Sequence, residues 1–175
     1  MKPFYPVIIM ILALSITSFA HTGDFNRSIV EQIRLTDQDI PTGFIMGKIP
    51  GFAKQVFRDN PGYLDQAGIK RIAKHLYPNG SPSGISAIHH TIMAKSNTPF
   101  GDDIVCYIIV YANSREALKE LKKLTDYAEF NKQRALVTSK ENLAVFIHSD
   151  DKDNMPALLQ LKRTIEERIE KAGNQ

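Results

Sequence analysis

Residues Ile104 to Ala112 (IVCYIIVYA) contain no charge and no alternation of apolar with polar side chains, and this run limits the fold more than any other. A strand of that kind is apolar on both faces. It belongs in the middle of a sheet, covered on both sides, or under a helix with loops or a partner on its other face. The neighbouring segments supply the rest of such a sheet. Ile85–Lys95 (ISAIHHTIMAK) is rich in β-branched residues and reads as a strand. The turn-forming stretch Asn97–Asp102 separates it from Ile104–Ala112, so the two should pair as a hairpin.

Helices follow from periodicity. Asn113 or Ser114 caps a helix whose Ala117, Leu118, Leu121, Leu124 and Ala128 recur on one face, and Glu116 completes an approximate capping box with Asn113. Arg134–Ser139 and Leu143–His148 form a second hairpin around Lys140-Glu141-Asn142. A final helix spans about Met155 to Ala172, with Leu158, Leu161, Ile165 and Ile169 facing inward and Pro156 in its first turn, where a missing amide is harmless. Upstream, Phe44–Ile49 is a short strand, Gly51–Asn60 a short helix and Tyr63–Tyr77 a longer one. Pro78–Gly84 (PNGSPSG) is the strongest breaker and reads as a loop.

The expected fold is therefore α+β. An antiparallel sheet carries its long helices on one face, in the order β-β-α-β-β-α after an N-terminal strand and two helices. The earlier helices are expected to cover the sheet's other face or to cap one end, and the two-sided apolarity of Ile104–Ala112 favours some cover. Strand order does not follow from pattern alone.

The N-terminus has a different character. Lys2 precedes an uncharged apolar stretch from about Val7 to Ile16, and Ser18-Phe19-Ala20 places small residues at the two positions a signal peptidase reads. The run is too short and too interrupted by Pro3, Pro6 and polar residues to suit a retained membrane span. Residues 1–20 are thus an expected signal peptide, cut between Ala20 and His21. Residues 21–34 are an N-terminal arm or short helix, and residues 35–175 form one domain. The sole cysteine, Cys106, lies far from the cut, which excludes lipid attachment there and a disulfide within the chain. Export implies a periplasmic or extracellular protein that meets a membrane only through the uncleaved leader.

Composition narrows function mostly by exclusion. The 22 basic and 19 acidic residues are mixed along the chain, giving no electrostatic basis for nucleic-acid binding. There is no G-x-S-x-G, no H-E-x-x-H and no glycine-rich phosphate loop. No residue is assigned a catalytic role and no cofactor is expected. His89, His90, His148 and Cys106 are the candidates for a metal site or nucleophile; His21, the first residue after the cut, could also bind copper through its amine and ring, though a flexible terminus is the default. Adjacent strand residues point to opposite faces, so His89 and His90 cannot both chelate one ion without distortion. Ordinary strand histidines and a buried thiol are the simpler reading. The acidic turn Asp150–Asp153 lacks calcium-loop spacing and suits a helix N-terminus.

The segment Leu35-Thr36-x-x-Asp39-Ile40-Pro41-x-Gly43-Phe44 resembles the opening of several small exported bacterial α/β domains, where a Leu/Ile-Pro-x-Gly-aromatic turn leads into the first strand. The resemblance spans ten residues, implies an exported accessory domain and carries no functional residues. The function expected from sequence is non-enzymatic binding of a ligand or protein, through the sheet face or the Pro78–Gly84 rim. The alternative is a metal-binding protein or enzyme built on His89 or His90, His148 and Cys106. Self-association through a sheet edge is a third possibility.

Overall fold

The computed structural model describes residues 27–76 and 84–172. The expected leader, its cleavage point between Ala20 and His21, and most of the Pro78–Gly84 loop lie outside the described residues.

A short helix, α1 (27–33), opens the described chain. Strands β1 (Phe44–Met46) and β2 (Gly62–Tyr63) precede helix α2 (Gln66–Leu76). The hairpin β3 (Ile85–Lys95) and β4 (Ile104–Tyr111) follows, then α3 (Ser114–Phe130), the hairpin β5 (Ala135–Lys140) and β6 (Leu143–His148), and α4 (Met155–Ala172). All pairings are antiparallel, and the strand order is β1-β3-β4-β6-β5, with β2 also on β3. This is an α+β fold with the expected β-β-α-β-β-α core.

All eight residues of β4 are buried, which fixes its place at the centre. Val105, Tyr107, Ile109 and Tyr111 point to one side, into a core with Ile69, Ile72 and Leu76 of α2 and Ala117 and Leu124 of α3. Ile104, Cys106, Ile108 and Val110 point to the other side, into a second core with Val30 and Ile33 of α1 and Leu158, Leu161 and Ile165 of α4. The expectation that both long helices share a face is therefore corrected: α3 and α4 lie on opposite faces. The reason is the apolarity of β4 and β6 on both sides. Two long helices on one side would leave Cys106, Ile108, Val145 and Ile147 in water, at about 1.5–3 kcal/mol for each large side chain.

Four local expectations also change. Residues 27–33 are a helix whose Val30 and Ile33 are fully buried, so this part of the arm belongs to the core. Gly51–Asn60 holds only a 3-10 turn at Gly51–Ala53: Val56 and Phe57 pack on the core, but Phe52 is 87% exposed, so no continuous helical stripe is buried. The helix expected from Tyr63 starts at Gln66, since Gly62 and Tyr63 pair with β3. On α3, Leu118 faces water at 70% exposure.

Local chemistry explains the boundaries. Gly43 takes φ +92°, the left-handed conformation that the turn into β1 requires. The Asn113 side chain accepts the Glu116 amide at 3.0 Å, capping α3. Arg168 of α4 donates to both oxygens of Asp39 at 2.6 and 3.0 Å and to the Arg34 carbonyl at 2.7 Å, tying α4 to the end of α1. Burial alone would raise the Asp39 pKa, but the Arg168 guanidinium and the bonds from Thr36 outweigh it and hold the carboxyl below its usual range. Among the described residues no helix is long and apolar enough to cross a membrane.

Candidate functional site

The outer edge of β3 is covered piecemeal, and the pieces shape the site. β1 pairs with its C-terminal end, Met93 to Lys95, and β2 pairs with His89 and His90. Between them the Asn60 side chain enters the ladder. Its amide donates to the carbonyls of Gly47 and Ile92, both at 2.7 Å, and its oxygen accepts the Ile92 amide at 2.7 Å. One side chain thus does the hydrogen bonding of a missing strand residue. Past β2, Leu64 donates its amide to the Ile88 carbonyl, and the chain then turns into α2. The register of β3 on β4 shifts between Ile85 and Ala87, leaving Ser86 exposed.

His89 and His90 sit under this cover and are almost completely buried. Alternation sends them to opposite faces, His90 with Ile88 and Ile92, His89 with Met93. The His89 ring meets Tyr63 edge-on at 5.0 Å, and the His90 ring meets Phe57 at 4.8 Å. His90 Nε2 donates to the Asp59 carbonyl at 2.8 Å. That bond places its proton on Nε2 and leaves Nδ1 as a bare acceptor. Among the described residues neither Nδ1 has a hydrogen-bond partner. Burial, and for His89 also the neighbouring His90, pushes both rings down to a pKa of about 4, so they are neutral at pH 7.

The other two candidates lie elsewhere. Cys106 shares the His89 face, is 1% exposed, and burial pushes its thiol up to about 12. A thiol so protonated is a poor nucleophile. His148 lies on the His90 face but two strands away, beside the Phe146 ring at 5.2 Å and the Tyr107 ring at 6.1 Å. It shares a small crevice with His75, Leu76 and Tyr127. The sheet therefore divides His89 and Cys106 from His90 and His148. Among the described residues no group of three or more His, Cys, Asp or Glu is placed to hold a metal ion.

What the fold does assemble is a pocket of about 470 Å³ where α1, the β2–α2 turn and the start of β3 meet. Val30, Leu64, Ile69, Ala87 and Val110 give it an apolar lining. Arg27, Tyr63, Asp65, Gln66 and Ser86 supply the polar groups. The Arg27 guanidinium lies 5.1 Å over the Tyr63 ring. The Tyr63 hydroxyl donates to Glu31 at 3.2 Å, and burial together with that carboxylate pushes its pKa up to about 12. Asp65 accepts the Gly68 amide at 2.8 Å and Arg58 at 2.9 Å.

Sequence reasoning missed this pocket. Its residues come from four separated stretches, and no spacing marks them. The two-residue strand that carries Tyr63 is too short for periodicity to reveal. A signal did exist in Val30 and Ile33, three residues apart in the arm, which announce a buried helical face.

No protein-family model matches the chain, and no curated protein or solved structure matches it either.

Proposed function

We propose that the chain is an exported domain that binds a small ligand in the pocket between α1, the β2–α2 turn and β3, without transforming it. The observation that carries this reading is the composition of the lining. A volume of about 470 Å³ falls within the range of ligand sites, and a mostly apolar wall with a few convergent polar groups is their usual make-up. The acidic groups there already have structural partners. Asp65 caps α2 and pairs with Arg58, and the Tyr63 proton is given to Glu31. They can orient a ligand but are not poised to take or give a proton near pH 7. The export half of the proposal rests on Lys2, the apolar stretch from Val7 to Ile16 and the Ser18-Phe19-Ala20 cleavage sequence.

Each half has its own test. N-terminal sequencing of the native protein should begin at His21; recovery with Met1 in place overturns export. A fragment mixture titrated against isotope-labelled protein should shift the amides of Leu64, Gln66, Ser86 and Ala87 together. If no fragment shifts them, or shifts scatter over the surface, the binding reading fails.

A further inference from the structure

We infer that the ligand of this pocket is an anionic amphiphile, a small carboxylic acid on an apolar body. The inference rests on the reading of the pocket as a binding site and adds the class of molecule it takes. It follows from which charges at the pocket are already matched.

Both carboxylates near the pocket are engaged. Asp65 uses one oxygen on the Gly68 amide and the other on Arg58. Glu31 accepts Arg34 at 2.6 Å through one oxygen and the Tyr63 hydroxyl through the other. The cation is in a different position. Arg27 is exposed, lies against the face of Tyr63, and has no carboxylate within ion-pair distance among the described residues. The Arg27 side chain also reaches the Tyr63 hydroxyl; a guanidinium carries five N–H donors, so that one contact leaves others to fork onto a carboxylate. The remaining lining offers methyl and methylene surface from Val30, Leu64, Ile69 and Val110. A cationic head would meet Arg27 with no unengaged acid among the described residues to offset it. A neutral head would leave the guanidinium donors to water. A carboxylate satisfies them while its apolar body covers the wall.

The test uses protein expressed from the full 175-residue reading frame and purified as it accumulates. Decanoate, 1-decanol and decylamine, each below its aggregation threshold, are titrated by calorimetry and by amide shifts. Decanoate should bind roughly tenfold or more tighter than the alcohol, and the amine weakest. Arg27→Gln, at an exposed position, should bring decanoate down to the affinity of the alcohol and leave the alcohol unchanged. Ser86→Trp should weaken all three by crowding the pocket. Equal affinity for acid and alcohol, or an acid preference that survives Arg27→Gln, overturns the ligand class while the pocket still stands as a site. No saturable binding of any probe to the parent, or binding that Ser86→Trp leaves unchanged, overturns the pocket reading and this inference with it.

Discussion

Mild acid should destabilise this protein through His89 and His90, and the size of the effect can be worked out. Both rings are buried and neutral, with folded-state pKa values of about 4 against 6.5 in the unfolded chain. The unfolded state therefore binds more protons between those limits. The stability contribution is fully present above pH 6.5 and is lost as pH falls toward 4. From pH 7.5 to pH 5 each histidine should cost about 2 kcal/mol and the pair about 4 kcal/mol, against a total stability of about 5–15 kcal/mol. His148, which burial also holds below its ordinary range, adds in the same direction. The carboxyls held low in the fold, Asp39 and Glu166 among them, lose their contribution only below about pH 4, so they are silent in this window. Glu31 and Asp59 face the rings and oppose the shift, whereas Arg34 reinforces it at His89; burial outweighs them all. Urea unfolding at pH 7.5 and pH 5 measures the difference. A His89→Leu/His90→Leu variant should lose about 4 kcal/mol less than the parent over the same interval. Imidazole proton shifts give a second reading that does not depend on the variant folding: the two rings should not titrate above pH 5. Equal acid losses in parent and variant, or a ring titrating near 6.5, would refute the reasoning.

Three further outcomes are expected. Asn60→Ala removes the side chain that bridges β1 and β2 on the edge of β3 and leaves the Ile92 amide without its acceptor; urea unfolding should show a loss of about 2–3 kcal/mol. Arg168→Ala strips the counter-charge from Asp39, whose side chain is 8% exposed, and should cost about 2–4 kcal/mol while raising the Asp39 pKa, seen by carboxyl NMR titration. Cys106 should react with a thiol reagent roughly a thousandfold or more slowly in the native protein than in denaturant, a rate that colorimetric kinetics read directly.

Much of the scaffold was legible because it is written in strong local patterns. β3, β6 and α4 have the boundaries that periodicity gives, and the two-sided apolarity of β4 marked it as the central strand. The face each helix takes was not legible. α3 and α4 both present one apolar stripe, and a stripe says that a helix is covered, not from which side of the sheet. The answer lay in combining the helices with β4 and β6, whose buried residues on both faces demand one long helix each. The candidate site was less legible still. His89 and His90 were singled out as chemistry-bearing residues, but their neutrality comes from burial, to which Phe57 and Tyr63 contribute from a loop and a two-residue strand laid against β3. The pocket depends on Arg27 and Ser86 meeting across the fold, a juxtaposition that no spacing encodes.

The clasp made by Arg168 has a consequence for how the molecule comes together. It joins the last described helix to residues 129 and 134 positions earlier in the chain, and it closes the same side of the sheet that α1 and α4 roof. The opposite side is roofed by α2 and α3, which lie between the ends. Bringing distant ends together carries the larger loop-closure entropy. Closing the side that holds Cys106 thus joins segments far apart in sequence, whereas α2 and α3 close the other side from within the chain.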